Sequence, residues 1–183
     1  ALGRDAGFEV EAMADLGESD HGGRPRWSST GVRHLLADGD VEEARAILGR
    51  AHRVWGTVVR GDARGRTLGF PTANLDPHPS GMIPADGVYA GWMTRGHLPD
   101  GAVDRILPVA ISVGTNPTFA GTGRRVEAHV PYRDDLELYG ERIGLDFIVR
   151  LRRTLAFATP DALVTQMRDD VRATLATLQA RRN

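Results

Sequence analysis

The chain has 183 residues, a formal net charge of −1, 41% hydrophobic and 26% charged residues, no cysteine, and 23 basic residues that are all arginine. That is the balance of a globular protein long enough to bury a sizeable core. It excludes disulfides, thiolate nucleophiles, cysteine zinc sites, a Schiff-base lysine and a lysine-bearing phosphate loop, and it offers no global basic field for nucleic acid or an anionic membrane.

The N-terminal stretch ALGRDAGFEVEAMADLG has the pattern of neither a signal peptide nor a transit peptide. With no apolar run near the roughly 18 residues of a membrane span, a cytoplasmic protein is expected. Residues 18–26 (ESDHGGRPR) read as a polar loop. Ser28, Ser29 and Thr30 then offer hydroxyls at a helix start, and Val32, Leu35 and Leu36 follow at helical spacing. Asp38, Gly39 and Asp40 break that helix, and Asp40 is placed to cap a second. Val41, Ala44, Ile47 and Leu48 give the second helix an apolar stripe, and Gly49 stops it. The pattern predicts a helical hairpin whose stripe packs on the β-rich remainder of the chain.

From about Arg53 the texture becomes β. Strands are predicted over residues 54–59, 72–75, 87–93, 105–113, 125–130 and 141–151, separated by turn residues at short intervals. Six such strands point to an antiparallel barrel or sandwich. In the fifth, Val126, Ala128 and Val130 alternate with Arg125, Glu127 and His129. At the end, Thr159 caps a helix with Pro160 in its first position. Leu163, Met167, Val171, Leu175 and Leu178 stripe that helix, while the acidic pairs Asp134, Asp135 and Asp169, Asp170 are expected to face solvent.

Residues 61–75 (GDARGRTLGFPTANL) concentrate the chemistry. Gly61, Gly65 and Gly69 permit positive φ or close approach of a ligand. Arg64 and Arg66 supply forks suited to phosphate. Thr72 and Asn74 lie two apart, so in extended chain their oxygens share a face and make half a site for a hard cation such as Mg²⁺. The same string also fits a polar surface loop leading into a strand. The six histidines show no metal-ligand spacing, and His129 reads as a hydrogen-bonding support.

The order of motifs resembles the riboflavin kinase family, and more closely the C-terminal kinase module of bacterial bifunctional FAD synthetases. The residues that carry it are 60–74 with the Pro71, Thr72, Ala73, Asn74 signature, 84–89 (PADGVY), 114–119 (GTNPTF), 126–129 (VEAH), 138–140 (LYG), and Arg152 with Phe157 beyond. It covers residues 51–178. Ser28, Ser29, Thr30 and Arg33 are similar to the close of the adenylyltransferase module that precedes the kinase in those enzymes, but the H-x-G-H motif of that module is absent from this sequence.

The resemblance implies a six-stranded antiparallel Greek-key β-barrel with a C-terminal helix and an N-terminal helical hairpin. Residues 1–49 would be the remnant of an adenylyltransferase module plus linker, and residues 50–183 a riboflavin kinase domain able to phosphorylate riboflavin but not to adenylylate FMN. It implies Glu127 as general base and Thr72 and Asn74 as ligands of Mg²⁺ bound with ATP. Gly61, Arg66 and Gly69 would lie along the phosphates as a flap, Val130, Tyr132 and Tyr139 near the nucleotide, and Arg152 and Phe157 at the flavin. Riboflavin and ATP would be the partners, without nucleic acid or membrane. A flavin-binding barrel without kinase activity and a small oligonucleotide-binding barrel are the competing readings. The joint presence of Thr72, Asn74 and Glu127 argues against the first, and the lack of a basic groove with interleaved aromatics against the second.

Overall fold

The computed structural model describes residues 6–9, 11, 27–62, 64–115 and 124–181. The loop 18–26, residues 116–119 of the GTNPTF motif, Arg182 and the side chain of Arg64 lie outside the described residues. Two helices come first, α1 (Ser29–Asp38) and α2 (Val41–Leu48), then β1 (His52–Val59), a helical turn α3 (Arg64–Thr67), β2 (Ala73–Leu75), β3 (Gly87–Arg95), β4 (Ile106–Thr115), β5 (Arg124–His129), β6 (Arg142–Arg152) and α4 (Pro160–Ala180).

The expected caps form. The Ser28 hydroxyl accepts from Gly31 N at 3.0 Å, Asp40 Oδ1 from Glu43 N at 3.0 Å, and the Thr159 hydroxyl from Ala162 N at 3.2 Å. Each satisfies an N–H that the helix itself leaves unpaired. Gly49 ends α2 in the left-handed region at φ 68°, where a Cβ would be strained.

The strands close into a barrel in the order β1-β2-β5-β4-β3-β6, every pairing antiparallel. Strands β3, β4 and β5 follow one another, and β6 returns to lie beside β3. That is the Greek-key order, and the β1–β6 pairing then leaves no open edge. Alternation places Val54, Val58, Tyr89, Met93, Val109, Ile111, Val113, Val126, Ala128, Ile143, Leu145 and Phe147 inside, each at most 2% exposed. Tyr89 and Phe147 meet edge to face at 5.2 Å, and the Tyr89 hydroxyl donates to Ala85 O, which satisfies its polar tip.

The hairpin packs on this barrel. Leu36, Val41 and Ala44 belong to the barrel's own hydrophobic cluster, with Ile47 and Leu48 half-buried. Ala85 N donates to Leu36 O at 2.8 Å, and Arg150 Nη1 donates to Asp38 O at 2.9 Å. At the other end of the chain α4 lies on β3, β4 and β6.

One expectation fails. Asp169 does form a surface pair with Arg172, but Asp170 is buried at 7% exposure. Neighbours in a helix point about 100° apart, so at the edge of the buried face one carboxylate can turn to solvent while the next turns inward. Asp170 falls on the face that carries Val171, Thr174 and Leu178, all buried against the barrel.

Candidate active site

Cross-strand register assembles the site on the outside of the barrel. Glu127 on β5 stands opposite Asn74 on β2 and, on its other side, opposite Ser112 on β4. Ser112 stands opposite Val88 on β3, and Val88 opposite Arg152 on β6. Directly opposed residues in a sheet share a face, so Asn74, Glu127, Ser112, Val88 and Arg152 form one row across five strands. All five line a single cleft of about 500 Å³. Asp62 and Gly65 wall it at one end, and Leu155, Phe157 and Leu163 at the other.

Thr72 joins the row just ahead of β2. Its hydroxyl donates to Glu127 Oε2 at 3.3 Å, and Asn74 Nδ2 lies 3.4 Å from both the Thr72 hydroxyl and the Thr72 carbonyl. These contacts are long, and the groups are half-buried. A half-turn of the Asn74 amide exchanges Nδ2 for Oδ1 and sets two neutral oxygens beside one carboxylate. Among the described residues no cluster of three histidine, cysteine or acidic side chains could hold a metal alone. A cation that brings oxygen ligands with it, as Mg²⁺ does on a nucleotide, fits such a half-site.

Thr72 and Asn74 also line a second, smaller cavity of about 70 Å³. Gly61, Arg66, Val130 and Tyr139 line it, with Arg133, Asp134, Leu136, Glu137 and Leu138 of the segment before β6 contributing as well. Gly61 matters here for space. A Cβ on it would fall 2.5 Å from Asn74 Cγ. Tyr139 keeps 52% of its surface exposed and lies under the Arg60 guanidinium, 5.9 Å from the ring centre.

Two of the residues predicted along the nucleotide stand elsewhere. Gly69 and Tyr132 line a third cleft of about 650 Å³ bordered by Phe70, His129 and Arg168. Gly69 has φ 82°, as its sequence context predicts, and Tyr132 is 81% exposed at φ 59°. Gly61 and Gly65 are not in the positive-φ region, and residues 64–67 form a helical turn rather than open loop.

His129 lies on the outward side of β5, yet it is buried, because Phe70 covers it edge-on at 5.3 Å. Its Nδ1–H donates to Pro71 O at 2.8 Å, which ties the residue before Thr72 to the barrel. Burial pushes the imidazole below its ordinary value, partly offset by that hydrogen bond.

Arg152 is held rather than free. Asp170 takes two hydrogen bonds from it, and its guanidinium lies 5.9 Å from the centre of the Phe157 ring. Sequence reasoning misses Asp170 and Ser112. The helical phase of α4 carries the signal for the first, and counting the register outward from Glu127 finds the second.

A family model described as riboflavin kinase matches residues 48–178 of the chain. The bifunctional riboflavin kinase/FMN adenylyltransferase of Escherichia coli K12 is 36% identical over 172 residues, covering 93% of this chain and 51% of that protein. The protein so described from Pseudomonas fluorescens is 36% identical over 177 residues, covering 95% of this chain and 52% of its own length. The chain thus spans about half the length of these curated relatives. A crystal structure described as a macrolide-efflux protein from Streptococcus pneumoniae superposes with TM-score 0.73 at 33% identity, covering 87% of this chain and 49% of that one.

Proposed function

The chain belongs to the riboflavin kinase family, and we propose that it transfers the γ-phosphoryl group of Mg·ATP to the terminal ribityl hydroxyl of riboflavin, giving FMN and ADP. The observation that carries this reading is the junction of the two cavities. Thr72 and Asn74 line both, and Glu127 stands at their side in the larger one. A phosphoryl donor on one side and an alcohol on the other would meet there.

In the transfer, an O–P bond forms at the ribityl oxygen and the bond from Pγ to the ADP oxygen breaks. The hydroxyl proton goes to Glu127. Little covalent chemistry is asked of the protein, so positioning and charge neutralisation dominate. A carboxylate in reach of the hydroxyl supplies the proton acceptor. A Mg²⁺ ion held between Thr72, Asn74 and phosphate oxygens would neutralise charge on the transferred group. Gly61 and Arg66, with Val130 and Tyr139, would border the nucleotide. Gly69 and Tyr132 would flank that site from the neighbouring cleft, which shares Pro71, Arg133 and Asp134 with it. Arg152 and Phe157 would meet the flavin ring.

We assign residues 1–49 to the end of a preceding adenylyltransferase module with its linker, and residues 50–183 to the kinase. The reaction asks for two small-molecule substrates, and a cytoplasmic setting supplies ATP and Mg²⁺. Among the described residues no helix is long and apolar enough to cross a membrane.

The test is FMN formation from riboflavin and Mg·ATP by this chain and by Glu127→Ala. Loss of a general base removes about 10²–10⁴ of the rate. A wild-type chain that binds riboflavin but makes no FMN would instead be a flavin-binding module.

A further inference from the structure

We infer that Ser112 is a substrate-binding residue whose hydroxyl takes a hydrogen bond from, or gives one to, the ring-side hydroxyls of a polyhydroxylated chain lying along the outer face of the barrel. This rests on the kinase reading, and it concerns a residue that the motifs of this sequence leave out.

Spacing along the row decides what Ser112 can meet. It is the next side chain to Glu127, on the side away from Asn74. It is exposed and lines the larger cleft. Neighbouring strands lie roughly 4.8 Å apart. Measured from Glu127, Ser112 is therefore about 5 Å along the row, Val88 about 10 Å and Arg152 about 14 Å. An acceptor whose reacting hydroxyl sits at Glu127 must lay the rest of itself along this row. A five-carbon chain spans about 6 Å at bond lengths near 1.5 Å. Its ring-side hydroxyls thus fall over Ser112, and its ring begins before Val88.

The chemistry changes along the row in the same sense. Glu127 and Ser112 are polar. Beyond them the cleft is walled by Val88, Leu155, Phe157 and Leu163, with the Arg152 guanidinium beside Phe157. A flat ring suits that end, and a hydroxylated chain suits the end with Ser112. No hydrogen bond occupies the Ser112 hydroxyl among the described residues, so it is available to a ligand.

The experiment is flavin binding in the presence of Mg·ADP, followed by quenching of flavin fluorescence. Riboflavin is compared with lumiflavin, which has the same ring and a methyl group in place of the ribityl chain. Ser112→Ala is expected to weaken riboflavin binding about five- to tenfold, the range of one neutral hydrogen bond, and to leave lumiflavin binding unchanged. Ser112→Thr, which keeps the hydroxyl, is expected to retain riboflavin affinity. Equal weakening of both flavins, or no weakening of riboflavin, would overturn the inference. Because the readout is binding, it is separate from the kinase reading. That reading falls if the wild-type chain makes no FMN, whatever Ser112→Ala does.

Discussion

Asp170 on α4 holds Arg152 at the end of β6 by two parallel hydrogen bonds, Nε to Oδ1 at 2.8 Å and Nη2 to Oδ2 at 2.7 Å. Gln166 Nε2 adds a third to Oδ1 at 2.9 Å. The pair ties the terminal helix to the edge of the cleft and sets the guanidinium beside Phe157. Its side chains are 18% and 9% exposed. Removing one partner of so buried a pair costs about 3–5 kcal/mol, because the other charge is left unpaired. Asp170→Ala is therefore expected to lower the urea midpoint and to weaken riboflavin binding together. Replacing both residues, Arg152→Met with Asp170→Leu, is expected to recover most of the stability and none of the binding. Recovery of both would remove Arg152 from the flavin site.

Gly61 and Asn74 support a prediction that separates function from folding. Ala at 61 would place its Cβ 2.5–2.6 Å from the end of the Asn74 side chain. A side-chain amide can swing away at small cost to the fold, whereas at Gly65 the obstacle is the Phe70 carbonyl of the main chain, 2.4 Å from the new Cβ. Gly61→Ala is thus expected to keep the melting temperature within a few degrees and to raise the Mg²⁺ concentration needed for half-maximal FMN formation by about tenfold, equivalent to about 1.4 kcal/mol. Gly65→Ala is expected to lower the melting temperature as well. An unchanged Mg²⁺ requirement in Gly61→Ala would take Asn74 out of the cation site.

Two buried imidazoles set an acid limit on stability. His52 donates through Nε2 to Met82 O at 2.7 Å and His129 through Nδ1 to Pro71 O at 2.8 Å. Burial lowers both below the ordinary value of 6.5, with Arg50 adding to the effect at His52 and Asp146 opposing it. The unfolded chain therefore takes up protons that the folded chain refuses once pH falls through 6.5. Stability is full above that value, declines below it, and levels off beneath the folded-state values. Asp104 and Asp135, held below the usual carboxyl value by hydrogen bonds from Arg133, add a separate loss only below about 3.8. Urea midpoints measured from pH 8 to 5 should fall, and His52→Gln with His129→Gln should flatten the curve. A curve equally steep in the double variant would place the acid sensitivity elsewhere.

The elements are legible in the sequence because local chemistry and burial agree. Ser28, Asp40 and Thr159 cap their helices as the string implies, and Val126 and Ala128 turn inward on β5. The strand ends differ by one or two residues in either direction: pairing carries β1 and β3 beyond their apolar alternation, while β2, β4 and β6 begin one residue later than predicted. Relations between distant elements are not written in the string. His129 alternates outward and is still buried, because Phe70 folds over it. Asp170 pairs with a residue 18 positions earlier, so its burial is invisible in a helix read alone. Glu127 and Asn74 each stand out in the sequence, but their direct opposition depends on β2 pairing with β5 rather than with β3.

The hairpin offers the sharpest test of where the barrel's folding unit begins. The proposed assignment makes it the tail of one module and a linker, and the family match starts only at residue 48. Yet Leu36, Val41 and Ala44 are 2%, 1% and 0% exposed within the barrel's own cluster. The Arg150 side chain bonds the carbonyls of Asp38 and Asp86 while lying over the Tyr89 ring. Full burial of Leu36 and Val41 stabilises by about 1.5–3 kcal/mol each, against a total stability of about 5–15 kcal/mol for a typical domain. A chain shortened to begin at Arg50 would expose the apolar surface that they cover and free one end of Arg150. It is expected to lose at least about 3 kcal/mol and to bind a dye for exposed apolar surface, with the loss largest around Val54 and Tyr89. Amides of α1 and α2 in the longer chain should exchange as slowly as those of β1. If the shortened chain keeps the same urea midpoint, or if the hairpin amides exchange rapidly while the barrel stays protected, residues 28–49 are a tether and the barrel folds without them.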